Sequence, residues 1–431
     1  MNQINPAKSK NWVITLFLTG IVALISVVMG SFAQELEPRY LILMISVMGA
    51  WVVYSIFNGV SLHGSLILIS LTLIKPLMSV FFLLLLLFIF LIIVEMYQKE
   101  QLSLQIPYPL AIFFILAFGI YSALRISDPL GYTMFFTTVI VPVLTLILCQ
   151  NARLKEESLV IWMKAIVAVG AFVGAYGIYI AIQNPFERLG SFWYTAMTIN
   201  GFYTMAFFFA LSLLFRSTEQ YWKVIYTLAA LLILFGMLYT YTRMAIIAVA
   251  FGIFLFMIRV RVMRFLGIIF LGLLPLVIPS TMISRIELGF NNDVSLIIRG
   301  LAWYLAGLQI YHNPITGIGF GVWTEWYPTI IPARQLYAQH PHNLYLNLMV
   351  EMGIIAGLSY LYIIFSILRR YWKSYVAQSQ DILHYGAFVG MMAVMFACIT
   401  DIFIQQHIVS IMFWLSLGIM LNLSNKRESH E

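Results

Sequence analysis

The sequence is short of charge, almost free of cysteine, and without a long polar stretch outside one segment. Only 10% of its 431 residues are Asp, Glu, Lys or Arg, while 62% are hydrophobic. No soluble core needs that much apolar sequence, so the composition excludes a water-soluble globular protein and places the chain among polytopic membrane proteins. Cysteine is limited to Cys149 and Cys398, both inside apolar runs, which excludes a disulfide framework and any CxxC or CxxH metal spacing. The net charge of +7 is scattered between apolar runs and forms no basic face, which argues against nucleic acid. There is no internal repeat and no low-complexity segment.

What is present is a succession of apolar runs, and a bilayer core takes about 20 apolar residues per helix. Spans are expected near 12–30, 40–57, 60–74, 76–95, 108–124, 132–150, 158–182, 192–215, 224–241, 244–259, 265–280, 343–367, 383–402 and 408–424. The fold class is therefore an all-α polytopic membrane protein of about 14 transmembrane helices, read as one transmembrane domain over 1–431. The third span is short and split from the fourth only by Lys75-Pro76, so the expected range is about 12 to 14. Lys8 and Lys10 before the first run resemble a secretory signal, but its length and the many spans that follow favour an uncleaved first span.

Lys and Arg are retained on the cytoplasmic side of bacterial and other inner membranes. The larger share of them fits a topology with both termini cytoplasmic, including Lys8, Lys10, Arg259, Arg261, Arg264, Arg369, Arg370, Lys373, Lys426 and Arg427. The longest polar interruption, 281–342, is then a large outer loop. Within it, residues 294–310 carry Ile297, Leu301, Tyr304, Leu305 and Leu308 at helical spacing with Arg299 off the stripe, which predicts a helix lying in the outer interface. Pro314, Gly317, Gly319 and Gly321 follow. No strand precedes them and no ribose-binding acid follows, so they make no dinucleotide fingerprint; a tight loop, close to substrate or to a neighbouring helix, is expected.

The outer segments hold Arg39, Arg125, Arg188, Arg243, Arg285, Arg299 and Arg334 against a single lysine, Lys75. A rim that needed only charge would use either residue, whereas Arg offers a planar fork that grips phosphate bidentately and never deprotonates. Arg188 lies in ERLGSFWYTAMTING, Arg243 in LYTYTRMAII and Arg299 ahead of the glycine loop; each alone could equally snorkel to headgroups. The stretch HPHNLYLNLMVEMG places His340, His342 and Asn343 where the loop becomes a span. There His342 faces the positive end of a helix dipole, which favours a neutral ring able to take a proton from a hydroxyl. Its bland alternative is a histidine bonded to loop backbone. Glu351, about 13 Å deeper by helical rise, is assigned to helix packing or an internal hydrogen bond. Asp401 and His407 flank the last outer turn, where Asp401 could pair with an arginine; Glu95, His63 and His384 look like residues of the cytoplasmic edge. The outer face has no DxD-like carboxylate cluster, so no metal and no cofactor are expected.

Taken together these features resemble the O-antigen ligase and polymerase superfamily, polytopic GT-C class glycosyltransferases acting on undecaprenyl-pyrophosphate-linked glycans. In sequence the likeness concentrates in 186–210, 240–250 and 299–357, and above all in HNLYLNLMVEMGIIAG. The resemblance implies His342 as the catalytic residue, with Arg188, Arg243 and Arg299 holding the substrate pyrophosphate and His340, Asn343, Asn200, Glu351 and Asp401 in support. The segment MTING departs from the family, whose members often show Pro-Asn there; Asn200 is its nearest equivalent. The expected partners are a lipid-linked oligosaccharide donor, a glycan or lipid acceptor, the bilayer of a bacterial inner membrane and, for a polymerase, a chain-length regulator. Polymerase is the preferred reading and ligase the alternative. A lipid-linked glycan flippase is the competitor from another class, but it calls for polar groups at the midplane and symmetric broken helices. Peptidoglycan polymerases would use an outer-loop carboxylate, for which Asp293, Glu287 and Glu325 are the candidates.

Overall fold

The structure is a computed structural model that describes residues 105–126, 129–152, 154–183, 196–277, 294–378 and 381–428. Apart from Gln105 these belong to one compact unit, Ile106–Glu431. The four spans expected before residue 96, and Arg188, lie outside the described residues.

Among the described residues there are helices and no strands. In chain order they are α1 (Pro109–Ala123), α2 (Pro129–Asn151), α3 (Glu156–Gln183), α4 (Ala196–Arg216), α5 (Gln220–Leu238), α6 (Arg243–Arg259), α7 (Arg261–Val277), α8 (Val294–His312), α9 (Val322–Ile330), α10 (Leu344–Tyr371), α11 (Ile382–Ala397) and α12 (His407–Glu428). Each span expected from residue 108 onward falls on one of them. Seven are long and apolar enough to cross a bilayer, α8 among them, while α1 and α11 are shorter apolar helices; the expected total of about fourteen is not reached among the described residues.

Local sequence explains where the helices begin and end. Pro109 and Pro129 stand at helix starts, where a missing N–H costs nothing. Asp381 and Asn343 cap α11 and α10 through side-chain oxygens that accept from Leu383 N and Leu346 N. Glu156 and Glu157 sit in the first turn of α3, and Arg216, Arg259, Lys426 and Arg427 in last turns, each complementing a helix dipole. Pro142 removes one helical donor from α2, and there the helix widens into a π-turn over Phe136–Ile140.

α12 is the axis of the unit. It is buried on nearly every side, packed by α2, α10, α4 and α3. Its polar residues are satisfied by neighbours: Ser410 Oγ donates to the Thr137 carbonyl in the π-turn at 2.8 Å, and Trp162 Nε1 to Ser416 Oγ at 2.9 Å. Trp414 Nε1 donates to Tyr360 Oη at 3.2 Å, and Asn422 Nδ2 to the Cys149 carbonyl at 2.8 Å. Such cross-helix bonds matter in an apolar medium because no water replaces them.

The span expected at 343–367 is not a single straight helix. α10 breaks at Gly353, whose φ of 83° and ψ of 169° are non-helical. The glycine loop fills the break: Ile318 N donates to Val350 O at 2.8 Å, Gly319 N to Glu351 O at 3.2 Å, and Ile354 N to Pro314 O at 2.7 Å. Backbone freed by the break is thus re-satisfied by backbone of the loop. Only glycine permits it, since a Cβ on Gly353 would lie 2.0 Å from Ile315 O and one on Gly317 2.5 Å from Val350 O. The loop's neighbour is therefore the helix.

Candidate functional site

α8 exists as expected, and of its apolar stripe only Leu305 is buried, with Leu301 partly packed beside it. Ile297 and Tyr304 are 54% and 66% exposed, whereas Ala302, Leu305 and Ala306 pack against Trp323 and Tyr327 of α9, Ala338 of the following loop and Val350 of α10. Small residues on α8 allow the close approach, and the large apolar side chains are left facing outward. α9 in turn seats the chain leading to the histidines. Trp323 Nε1 donates to the Ala338 carbonyl at 3.0 Å and Tyr327 Oη to the Leu336 carbonyl at 2.9 Å.

Two residues beyond Ala338 the chain reaches His340, Pro341 and His342. His342 holds a φ of 50°, a left-handed conformation uncommon outside glycine, in which histidine is found more often than most residues, as are asparagine and aspartate. The turn brings the two rings to a centroid distance of 4.3 Å. The backbone N–H of His342 donates to His340 Nδ1 at 3.1 Å. A nitrogen that accepts carries no proton, so the neutral His340 ring has its hydrogen on Nε2. That Nε2 lies 3.8 Å from Asp401 Oδ1, too far for a hydrogen bond but close enough for the carboxylate to orient the ring. Asp401 is buried, with its Oδ1 accepting from Ile402 N at 2.8 Å.

Burial pushes both histidines down to about 4, so both are neutral at physiological pH. For His340 the Arg299 guanidinium adds to the effect. For His342 the neighbouring His340 and Arg299 add to it and Asp401 opposes it. The neutral state expected from the helix dipole is thus found, but desolvation is its main cause. His342 Nδ1 is buried and has no hydrogen-bond partner. Arg299, on α8, acts on both histidines through its charge, and its Nη1 donates to Ser295 Oγ at 2.6 Å.

Asp401 thus lies beside His340, which the sequence placed only in a supporting role. Asp401 is distant in sequence, and only its place on the turn between α11 and α12 could have suggested it. One donor atom each of His340, His342 and Asp401 also lie within 4.8 Å of one another, close enough together to share a metal ion.

Asn343 is the N-cap of α10. Glu351 is buried, and its Oε2 accepts from Gln405 Nε2 at 2.8 Å; Gln405 also bonds Thr138 Oγ1 at 3.0 Å and accepts from Asn347 Nδ2 at 2.8 Å. This network, one turn before the Gly353 break, joins α10, the π-turn of α2 and the turn that carries Asp401. Asn200 Nδ2 donates to Thr240 Oγ1 at 2.9 Å, tying α4 to the turn from which Arg243 opens α6. Gly201 packs on Phe403 and Val409, which links this second cluster to the Asp401 turn. His384 is in the first turn of α11, buried at the far end of α10, with its Nδ1 2.5 Å from Tyr371 Oη and its Nε2 3.7 Å from Glu156.

The broken α10, the glycine loop that fills it and the helix bearing Arg299 all fall in residues 228–361, which match the family described as O-antigen ligase. That match is what the chain's resemblance to the O-antigen ligase and polymerase superfamily rests on here, and the apolar helices are those of an integral membrane protein. Of the clustered residues, His340, His342, Arg299, Glu351 and Arg243 lie inside the matched segment, whereas Asp401, Gln405 and Asn200 are supplied by flanking helices and turns. No curated protein matches the chain.

Proposed function

We propose that the protein moves a glycan from an undecaprenyl-pyrophosphate carrier to an acceptor hydroxyl at the outer face of a bacterial cytoplasmic membrane, polymerising repeat units of a surface polysaccharide. The observation that carries this reading is a pair of neutral, partly buried histidines, one of them beside Asp401, that feel the charge of Arg299.

In this reading the acceptor O–H gives its proton to His342, whose Nδ1 is unpartnered in the free protein. The freed oxygen attacks the anomeric carbon of the donor sugar. The bond between that carbon and the phosphate oxygen breaks, its electron pair leaves with the lipid pyrophosphate, and attack opposite the leaving group inverts the anomeric centre. Negative charge grows on the pyrophosphate, and fixed guanidiniums stabilise it in a site from which water is largely excluded. Arg299 and Arg243 are assigned that role here, together with Arg188. The chemistry asks for no metal. His340 is the positioning residue: its Nδ1 holds the backbone of His342, and Asp401 holds its other nitrogen.

A ligase joining the glycan to lipid A core or another acceptor is the second reading, favoured by the description of the matching family. One experiment separates the two. In a strain without this gene, lipid-linked and surface glycans are resolved by size. Single repeat units in place of long chains support the polymerase; long chains stranded on the carrier support the ligase and a foreign acceptor. Unchanged glycans overturn both. A polymerase is expected to work with a chain-length regulator.

A further inference from the structure

Buried donors in folded proteins nearly always have partners. Trp303 is an exception: its indole Nε1 is buried and makes no hydrogen bond. The residue stands one helical turn after Arg299 on α8, and residues four apart lie on the same face. By helical geometry both sit along one edge of the face that Ala302 and Ala306 bury against α9 and α10. From that edge the charge of Arg299 reaches both His340 and His342. The opposite face, with Ile297, Tyr304 and Leu308, is exposed and apolar. The unpartnered indole N–H therefore belongs to the histidine side of the helix.

An unpaired N–H inside a protein wants an acceptor, and a cation one turn away makes an anionic oxygen the strongest acceptor for it. The site already contains an unpaired nitrogen on His342. The two have complementary roles, one a donor for the leaving side of a substrate and the other a base for the attacking side. We propose that Trp303 is a donor-binding residue whose indole N–H hydrogen-bonds a phosphate oxygen of the lipid pyrophosphate, beside Arg299. This rests on the donor assignment above and adds a residue to it. The indole supplies no charge, so it adds direction to the grip that the guanidinium gives: a single N–H fixes where one oxygen sits, and that sets the anomeric carbon in line with the hydroxyl at His342.

The test is equilibrium binding of undecaprenyl pyrophosphate to purified full-length protein in lipid nanodiscs, with undecaprenol as the uncharged control. Trp303→Phe keeps the ring and removes the N–H. It should weaken binding of the pyrophosphate lipid roughly ten- to hundredfold, the worth of a hydrogen bond to a charged group, and leave undecaprenol binding and thermal stability unchanged. Unchanged affinity for the pyrophosphate in a folded Trp303→Phe protein overturns the proposal while leaving the donor assignment intact. Wild-type protein that does not prefer the pyrophosphate lipid to undecaprenol overturns both. Should the phenylalanine variant fail to fold, Trp303→Tyr assigns the resonance and the wild-type 15N-indole spectrum decides. The Nε1 proton of Trp303 must move downfield when undecaprenyl pyrophosphate is added, and a stationary signal sinks the idea.

Discussion

His342 combines two demands that a substitution can separate. Its side chain is assigned the proton transfer, and its backbone sits at a φ of 50°. Asparagine enters that region readily, alanine does not, so His342→Asn removes the base without adding strain. Transfer of labelled repeat units should fall by about 10² to 10⁴, the usual worth of a positioned base, with expression and melting temperature unchanged. Wild-type turnover in that variant would remove His342 from the mechanism. The pH dependence follows from the same ring. Its folded value is about 4 and the ordinary value of a histidine is 6.5, so the acidic limb of kcat/KM in the free enzyme is expected near 4. The sign for stability is that of a depressed group. The unfolded chain binds the protons first, so the contribution of both histidines is complete above 6.5, declines as the pH falls from there, and is lost on passing about 4. Asp401 holds the His342 value up against the other influences, so Asp401→Asn should move the acidic limb lower still and slow turnover. An unmoved limb would separate Asp401 from the histidines.

At the scale of elements the break in α10 is the feature on which the site rests. Gly353→Ala would force a Cβ to within 2.0 Å of the Ile315 carbonyl at a φ of 83°. The loop must then leave the break, exposing backbone that a bilayer cannot solvate, at a cost of several kcal/mol. Loss of folded protein from the membrane fraction is the expected outcome, and a stable, active Gly353→Ala would contradict the geometry. Gln405→Leu tests the network milder in kind. It strips Glu351, Thr138 and Asn347 of their shared partner, and stranding buried polar groups costs about 1–3 kcal/mol each. A clear drop in melting temperature is expected. Asn343→Ala removes only the cap of α10 and should cost about 1 kcal/mol. These elements were legible in the sequence to unequal degrees. Helix α8 is legible from apolar residues at helical spacing, but the face it packs inward is not: in an apolar solvent, small side chains mark the contact and bulky ones face outward. The glycines after Pro314 signalled close approach. The partner they approach could not be read, because a break at Gly353 becomes acceptable only when another backbone enters it.

For the whole molecule, the described helices from α1 to α12 put His342 and the Arg370 end of α10 at opposite ends of that helix, so the proposed topology makes a direct forecast. Cys149 and Cys398 are buried, which keeps thiol background low. Tyr311→Cys, exposed at the end of α8, should react with a membrane-impermeant maleimide in intact cells, and Lys373→Cys should react only after lysis. The reverse pattern would place the histidines on the cytoplasmic side and exclude an outer-face transferase. The amino-acid sequence alone determined the helical class, the approximate placement of the helices in the described region and the residue types at the loop-to-span junction, because hydropathy, caps and prolines act within a few residues of themselves. Only the tertiary structure decided which of those residues meet. Asp401 beside His340, Gln405 on Glu351, Asn200 under the Arg243 turn and the loop inside the broken helix all depend on helices remote in sequence, and it is burial among those helices that makes the two histidines neutral.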